Sequence, residues 1–499
     1  MNISAIDVGS NAIRMLIAST SQPGFTPLGN YREPVRLGHD VFRRGRVSEE
    51  TAIRVVAAFS RFADIQRQWH VERSRAVATS AMREAANGDA LVDRIRRETG
   101  IDLDVISGVE EGRLIFQAVR SRVDLGSSNA LIVELGGGSM ELIAVREGRL
   151  AGIETFKVGA VRLLEMLVGD QPETAHSTRL VQDYVSGLRG HLERATQGFR
   201  PDHFIVTGGN AERIATLAAP RGDNGRPPVV PRENLHDLIM RLSSLSFRER
   251  IEQLGLDSDR ADVILPASIV VYGVMEATGM KDFMAPMVGL KDGVALDLAA
   301  GVESEPLKRQ IVDAAIFMGR RYMFDEGHAR RVARNALFLL DRLAPQLHLD
   351  RKPAPLLETA SILHDVGFHV NGRQHHKHSY YLIKHSNLPG LSTSERLIVA
   401  NIARYHRKAA PNASHGNLRG LRRQDRDTIR KLSAIIRIAD ALDRDHAGTV
   451  TPAAVSIEDG TIVIRVKARG EISLEQWAIR RKQDLFEEAF GYRVSLVEA

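Results

Sequence analysis

Cysteine is absent from all 499 residues, which excludes disulfides, thiolate nucleophiles and cysteine-held metals together. Any metal must therefore be bound by His, Asp, Glu or main-chain oxygen. Aromatic residues make up only 5% of the chain, so stacking platforms for nucleic-acid bases are poorly supplied. The two tryptophans, Trp69 and Trp477, read as packing residues. The longest apolar run, around Val263 to Met275, falls short of the ~20 residues that span a bilayer. The opening Met1-Asn2-Ile3-Ser4-Ala5-Ile6-Asp7 has no basic stretch and meets a carboxylate too early for a secretory signal. A cytoplasmic address is expected, with neither membrane nor nucleic acid as partner.

What is present fits an ordinary globular protein of three or four domains, 43% hydrophobic and 26% charged. The net charge of +6 is modest for this length. Its arginines cluster, at 320, 321, 330, 331 and 334, then from Arg404, Arg407 and Lys408 to Arg419, Arg422, Arg423, Arg426 and Arg430. With few aromatics beside them, a naked polyanion suits this surface better than a nucleic acid.

Two turns stand out. Ile6-Asp7-Val8-Gly9-Ser10-Asn11 and Val133-Glu134-Leu135-Gly136-Gly137-Gly138-Ser139 each place a carboxylate at the end of an apolar strand and a glycine turn after it. Each is followed by a second apolar run, Ile13 to Ala18 and Leu142 to Val145, so each predicts a tight β-hairpin. Glycine lets backbone N–H groups approach an anion, and the carboxylate can hold a divalent cation. The carboxylates are 127 residues apart, and the surrounding order of strands and helices repeats. One α/β unit used twice is expected, with a boundary near Asp124–Asn129 and a ligand cleft between the halves. Further strands are expected at Ser74–Ala78, Leu103–Ile106 and His203–Thr207, and helices at Glu49–Trp69, Gly88–Thr99, Gly108–Val119 and Thr178–Ala195. Pro220 to Pro231 reads as an exposed loop. The character changes near Gly301–Pro306, and the chain is then nearly all helical to about Ala447. Strands at Val455–Ile457, Ile462–Val466 and Arg493–Val497, with a helix near Leu474–Phe490, form a small C-terminal unit.

Four more segments belong beside the hairpins. Thr79-Ser80 to Asn87 opens a helix with hydroxyls and Arg83, Gly108-Val109-Glu110-Glu111 starts another with two carboxylates, and Thr207-Gly208-Gly209-Asn210 is a third glycine turn. Lys157 to Arg162 adds basic groups at another helix start. Hydrolysis of a phosphoanhydride needs a held metal–phosphate, donors for its oxygens and a carboxylate to deprotonate water, and these segments supply all three.

Taken together, Ala5 to Asn11, Thr79 to Asn87, Ile106 to Glu111 and Leu135 to Leu142 resemble the exopolyphosphatase / guanosine pentaphosphate phosphatase family. The resemblance covers residues 1 to 300 strongly and the rest more loosely. It implies an α/β fold of two ribonuclease-H-like (actin-like ATPase) domains, 1–126 and 127–302. An all-α HD-like domain, 303–448, and a small α+β cap, 449–499, would follow. It further implies Mg²⁺-dependent (or Mn²⁺-dependent) release of terminal orthophosphate from inorganic polyphosphate or from guanosine pentaphosphate, by a homodimer. Carried over by position, Glu111 is the general base, and Asp7, Glu134 and Glu141 surround the metal. Ser10, Asn11, Arg14, Arg83, Gly137, Gly138 and Ser139 contact phosphate. Two departures bear on this. The family usually has Asp where this chain has Glu134, and it commonly has Ser-Gly-Thr where this chain has Gly208-Gly209-Asn210. A non-catalytic phosphate-chain sensor is the alternative that the first departure raises, whereas the lack of a sugar-recognition segment disfavours a kinase.

In the helical part, His328, His364-Asp365, His378, His406 and Asp440 resemble the HD superfamily of metal-dependent phosphohydrolases, which implies a second divalent metal there. A nucleotide phosphohydrolase with a regulatory front half is the rival reading. His375 and His376 are expected to be solvated in a loop.

Overall fold

The computed structural model describes residues 1–20, 24–169, 175–196, 198–220, 226–300, 305–386 and 388–499. These form two compact units, Met1–Ser304 and Glu305–Ala499.

The first unit is built on two sheets. Strands β1 (Asn2–Val8), β2 (Ile13–Thr20), β3 (Phe25–Glu33), β4 (Arg73–Ala78) and β5 (Leu103–Val105) are ordered β3-β2-β1-β4-β5. Strands β6 (Ala130–Leu135), β7 (Met140–Arg146), β8 (Arg149–Phe156), β9 (His203–Thr207), β10 (Val229–Pro231) and β11 (Asp282–Met284) are ordered β10-β11-β9-β6-β7-β8. The plan is the same twice. An antiparallel meander of three strands is followed by parallel strands added on the other side of its first strand, β4 beside β1 and β9 beside β6. This is the actin-like fold that the resemblance implies. Central strands β1 and β6 are buried almost throughout, as strands covered on both faces must be.

Most of the expected elements are present within a residue or two. The meander's third strands, β3 and β8, were not foreseen, because their half-exposed residues lack a clean alternation. The helix expected at Thr178–Ala195 is two, Ala175–Gly187 and Arg189–Ala195. Of the loop expected at Pro220–Pro231, residues 221–225 lie outside the described residues, and its last three form the edge strand β10. The boundary expected near Gly301–Pro306 likewise falls on residues 301–304, outside them. The apolar run at Val263 is a core helix, Ile264–Thr278. No helix among the described residues is long and apolar enough to cross a membrane.

The second unit is helical from Glu305 to Ala441 and closes with β12 (Val450–Glu458), β13 (Thr461–Ala468) and β14 (Arg493–Glu498) in one sheet. The sheet residues Ile462, Ile464 and Val466 share one apolar core with Leu340, Leu363 and Ile435 of the helices. The strands and the helices therefore bury their apolar faces against each other.

Candidate active site

Both hairpin turns close with the same backbone hydrogen bond. Gly9 N–H donates to Ala12 O at 3.1 Å, and Gly136 N–H donates to Ser139 O at 3.0 Å. The two turns face each other. A Cβ added to Gly137 would stand 2.9 Å from Ser10 Cβ and 3.6 Å from Asn11 N, and one added to Gly138 would collide with the Phe42 ring and Ser80 Oγ. Glycine is required here because two loops and a ring meet with no room for a side chain. The second turn is pinned from behind by Arg162, which donates to Gly138 O at 2.7 Å and pairs with Glu84 at 2.7 Å. Arg162 is thus a buried structural residue, and Lys157 is exposed, so the basic groups expected at that helix start do not enter the cleft.

The strand register explains the electrostatics. Glu134 on β6 lies directly opposite Glu141 on β7, and both are buried. Like charges facing each other across a strand pair are destabilising, so the pair calls for a cation. On the other meander Arg14 is opposite Asp7 on one side and opposite Arg32 on the other. Arg14 stands 3.7 Å from the Asp7 carboxylate. Arg260 joins the two arginines and donates to Gly209 O. Burial, then the guanidinium charges of Arg14 and Arg32, push Arg260 below the usual arginine range, and Arg32 is itself paired with the Asp259 carboxylate.

The adjacent carboxylates at the start of helix Gly108–Arg120 part company. Glu110 turns to Arg113, with bonds of 2.8 Å. Glu111 is 5% exposed, lines the cleft and sits 3.7 Å from Arg83. Burial, reinforced by the charge of Glu141, raises Glu111 well above the usual carboxylate range, and Arg83 only partly opposes this. Burial lifts Glu134 to about 7, against the bond it accepts from the Thr207 hydroxyl. Burial lifts Glu141 to about 8 against the pull of nearby Ser139, and also raises Asp7, against Arg14.

The structure therefore gathers Asp7, Ser10, Asn11, Arg14, Glu111, Glu134, Gly137 and Ser139 around one cleft of about 60 Å³. Arg83 and Glu141 stand just behind its lining, and the Asn11 amide donates to Asp259, at 2.8 Å to its carbonyl. Sequence reasoning missed Arg32 and Arg260. Neither lies in a glycine motif, and only the β2–β3 register and the short helix Ser258–Ala261 bring them in. The third glycine turn also belongs to the cleft. Gly208 has φ +102°, and a Cβ there would press on Leu135 O at 2.8 Å and Glu134 Oε1 at 3.2 Å.

In the second unit His328, His364, Asp365, His406 and Asp440 converge. His328 Nε2 lies 3.6 Å from Asp440, His364 Nε2 3.5 Å from Asp365, and His406 Nε2 3.5 Å from Asp365. His378 does not join them. Its place is taken by His375, whose Nε2 is 3.2 Å from Asp365 and 3.3 Å from His406 Nε2. The expectation of a solvated His375 and His376 is corrected as well, since both are buried. Gln374 turns the chain with φ 63° and the helix begins at His375, so its first turn leans on Asp365. Three residues later the helical rise has carried His378 about 4.5 Å along the axis. A helix start after Gly372 was the available signal.

Each of these histidines has its Nδ1 held. Nδ1 of His328 is on Asp443 at 2.7 Å, of His364 on Ser361 O at 2.7 Å, of His406 on Ala403 O at 2.6 Å and of His375 on Gly372 O at 3.1 Å. Such outer partners orient Nε2 toward a common point. Trp477, expected to pack, is 50% exposed.

The Ppx/GppA phosphatase family matches residues 16–301, and its domain III matches residues 313–487. The chain belongs to the Ppx/GppA phosphatase family. It is a phosphoanhydride hydrolase. A guanosine-5'-triphosphate,3'-diphosphate pyrophosphatase of Photobacterium profundum is 24% identical over 486 residues, 96% of this chain and 95% of its own. A protein of the same name from Vibrio vulnificus is 25% identical, over 81% and 80% of the two chains. Among solved structures, an exopolyphosphatase from Cytophaga hutchinsonii shares 25% identity with a TM-score of 0.57, over 60% of this chain and 98% of that one.

Proposed function

We propose that this Ppx/GppA protein removes terminal orthophosphate from inorganic polyphosphate in the cleft of the first unit, with Mg²⁺ or Mn²⁺ as cofactor. The observation that carries the reading is the juxtaposition of a facing carboxylate pair, Glu134 and Glu141, with three guanidinium groups around one small cavity.

The residues fit a hard cation. Asp7, Glu134 and Glu141 offer only oxygen, and Glu111 Oε2 and both Glu141 carboxylate oxygens are buried without a hydrogen-bond partner. When bound, the cation would neutralise charge on the scissile phosphate and lower the raised pKa values of the carboxylates. Arg14, Arg32, Arg260 and the N–H groups of the turns would hold the phosphate oxygens. Glu111 would take the proton from the attacking water as the terminal P–O–P bridge breaks and orthophosphate leaves, with Arg83 orienting its carboxylate. A cavity of about 60 Å³ suits the end of a chain rather than its middle. No aromatic side chain lines it among the described residues, so nothing there is built to stack a base. Guanosine pentaphosphate, the substrate suggested by the name of the Photobacterium and Vibrio relatives, would offer a terminal phosphate of the same kind, and its cleavage is assayed alongside.

A divalent metal among the histidines of the second unit is the companion proposal. His328 Nε2, His364 Nε2 and Asp365 Oδ1 are buried without hydrogen-bond partners, and two triads, His328-His364-Asp365 and Asp365-His375-His406, have ligand atoms close enough to share an ion. Their nitrogen and oxygen donors suit Mn, Fe or Zn. We propose likewise that this helical part is HD-like and that the protein is a dimer.

The test is phosphate release from long polyphosphate and from guanosine pentaphosphate by wild type, Glu111→Gln and Asp365→Ala. Polyphosphate cleavage should fall by about 10²–10⁴ in Glu111→Gln while polyphosphate still binds, and should persist in Asp365→Ala. Full activity in Glu111→Gln would remove the front cleft from the reaction.

A further inference from the structure

We infer that the second unit carries a separate binding site for a nucleoside di- or triphosphate, in a cavity of about 470 Å³ beside the histidine cluster. This goes beyond the polyphosphate reading and does not depend on it.

The volume lies in the range of small-molecule sites, roughly 300–1,000 Å³. Its lining is net positive, with six cationic and three acidic residues. Among the lining residues Lys482 pairs with Asp440, and Arg437 pairs with Asp484 at 2.9 Å. Lys408, Arg444 and Arg481 have no carboxylate partner among the described residues, and the first two make no other polar side-chain contact there. Exposed, converging cations without counter-charges are what a phosphate chain requires. Asp365 Oδ1, 3.2 Å from His375 Nε2 at the same cavity, would help hold a divalent ion that offsets phosphate charge there.

Aromatic faces distinguish this cavity from the cleft of the first unit. Phe368 is 52% exposed and Trp477 50% exposed, and both line the cavity. Phe368 stacks on His375 at 3.9 Å, and the Arg481 guanidinium lies over the Trp477 ring at 5.2 Å. An indole left half in water beside a cation presents an apolar platform next to a phosphate-binding group. A base on Trp477 with phosphates on Arg444, Lys408 and Arg481 uses both features. A bare phosphate chain would use only the second.

The experiment uses the full-length protein with Mn²⁺ and titrates ADP, GDP and tripolyphosphate by isothermal calorimetry. In parallel, Trp477 fluorescence is followed in a Trp69→Phe background, where it is the sole tryptophan. ADP or GDP should bind and quench the indole. Trp477→Ala should weaken nucleotide binding roughly five- to hundredfold, the worth of one base stack, and leave tripolyphosphate binding unchanged. Arg444→Ala should weaken both ligands. Thermal melting of Trp477→Ala should match wild type, which shows that the variant folds. Nucleotide affinity indifferent to Trp477→Ala, or unchanged in Arg444→Ala, would overturn the inference.

Discussion

Replacing Glu134 by Gln tests the central electrostatic argument without depending on the substrate. Gln keeps the shape and can still accept from the Thr207 hydroxyl, but it removes one buried charge facing Glu141. Burial lifts the Glu134 carboxyl from its ordinary 4.5 to about 7. The folded protein therefore retains a proton that the unfolded chain releases between those pH values. Stability at low pH is lost as pH rises through that window and levels off above about 7. At about 1.4 kcal/mol per pH unit, the loss is about 3.5 kcal/mol, or on the order of 5 °C in melting temperature for a unit of this size. Thermal melts in EDTA should coincide for wild type and Glu134→Gln near pH 4.5, and separate by pH 8 with the variant higher. Added Mg²⁺ should raise wild type more than the variant, because the carboxylate that binds the ion is the one that costs stability without it. If the two melting curves run parallel from pH 4.5 to 8, the facing carboxylates are not charged in the way argued here.

Three further outcomes follow from the same geometry. Gly138→Ala should destabilise the first unit by about 1–3 kcal/mol and abolish phosphate release, as read by melting and activity, because its methyl group meets Phe42 and Ser80. Arg14→Ala should raise KM for polyphosphate and flatten the dependence of KM on salt, since one phosphate-neutralising charge is lost. His375→Ala should lower the metal content of purified protein, measured by elemental analysis, whereas His378→Ala should not.

The arginine clusters illustrate how far charge can be read from composition. Arg320 and Arg330 pair with Glu326, Arg331 with Asp443, Arg422 with Asp425 and Arg430 with Asp427. Much of what looked like a polyanion surface is spent on neighbouring carboxylates three to six residues away, or across the unit. Others, among them Lys408, Arg419 and Arg423, have no carboxylate partner among the described residues, and fold geometry alone distinguishes them.

Local chemistry was legible in the chain itself. The two carboxylate-glycine turns, the strands that precede them and Glu111 at a helix start follow from short-range rules: apolar runs make strands, glycine makes tight turns, and the spacing between them sets the hairpins. Tertiary structure decided whatever depends on two distant segments meeting. The register that sets Glu134 against Glu141 and Arg14 against Arg32, the arrival of Arg260 from a short helix, and the choice of His375 over His378 are of that kind. Side-chain direction there is set by packing between elements tens or hundreds of residues apart, and residue spacing along the chain does not encode it.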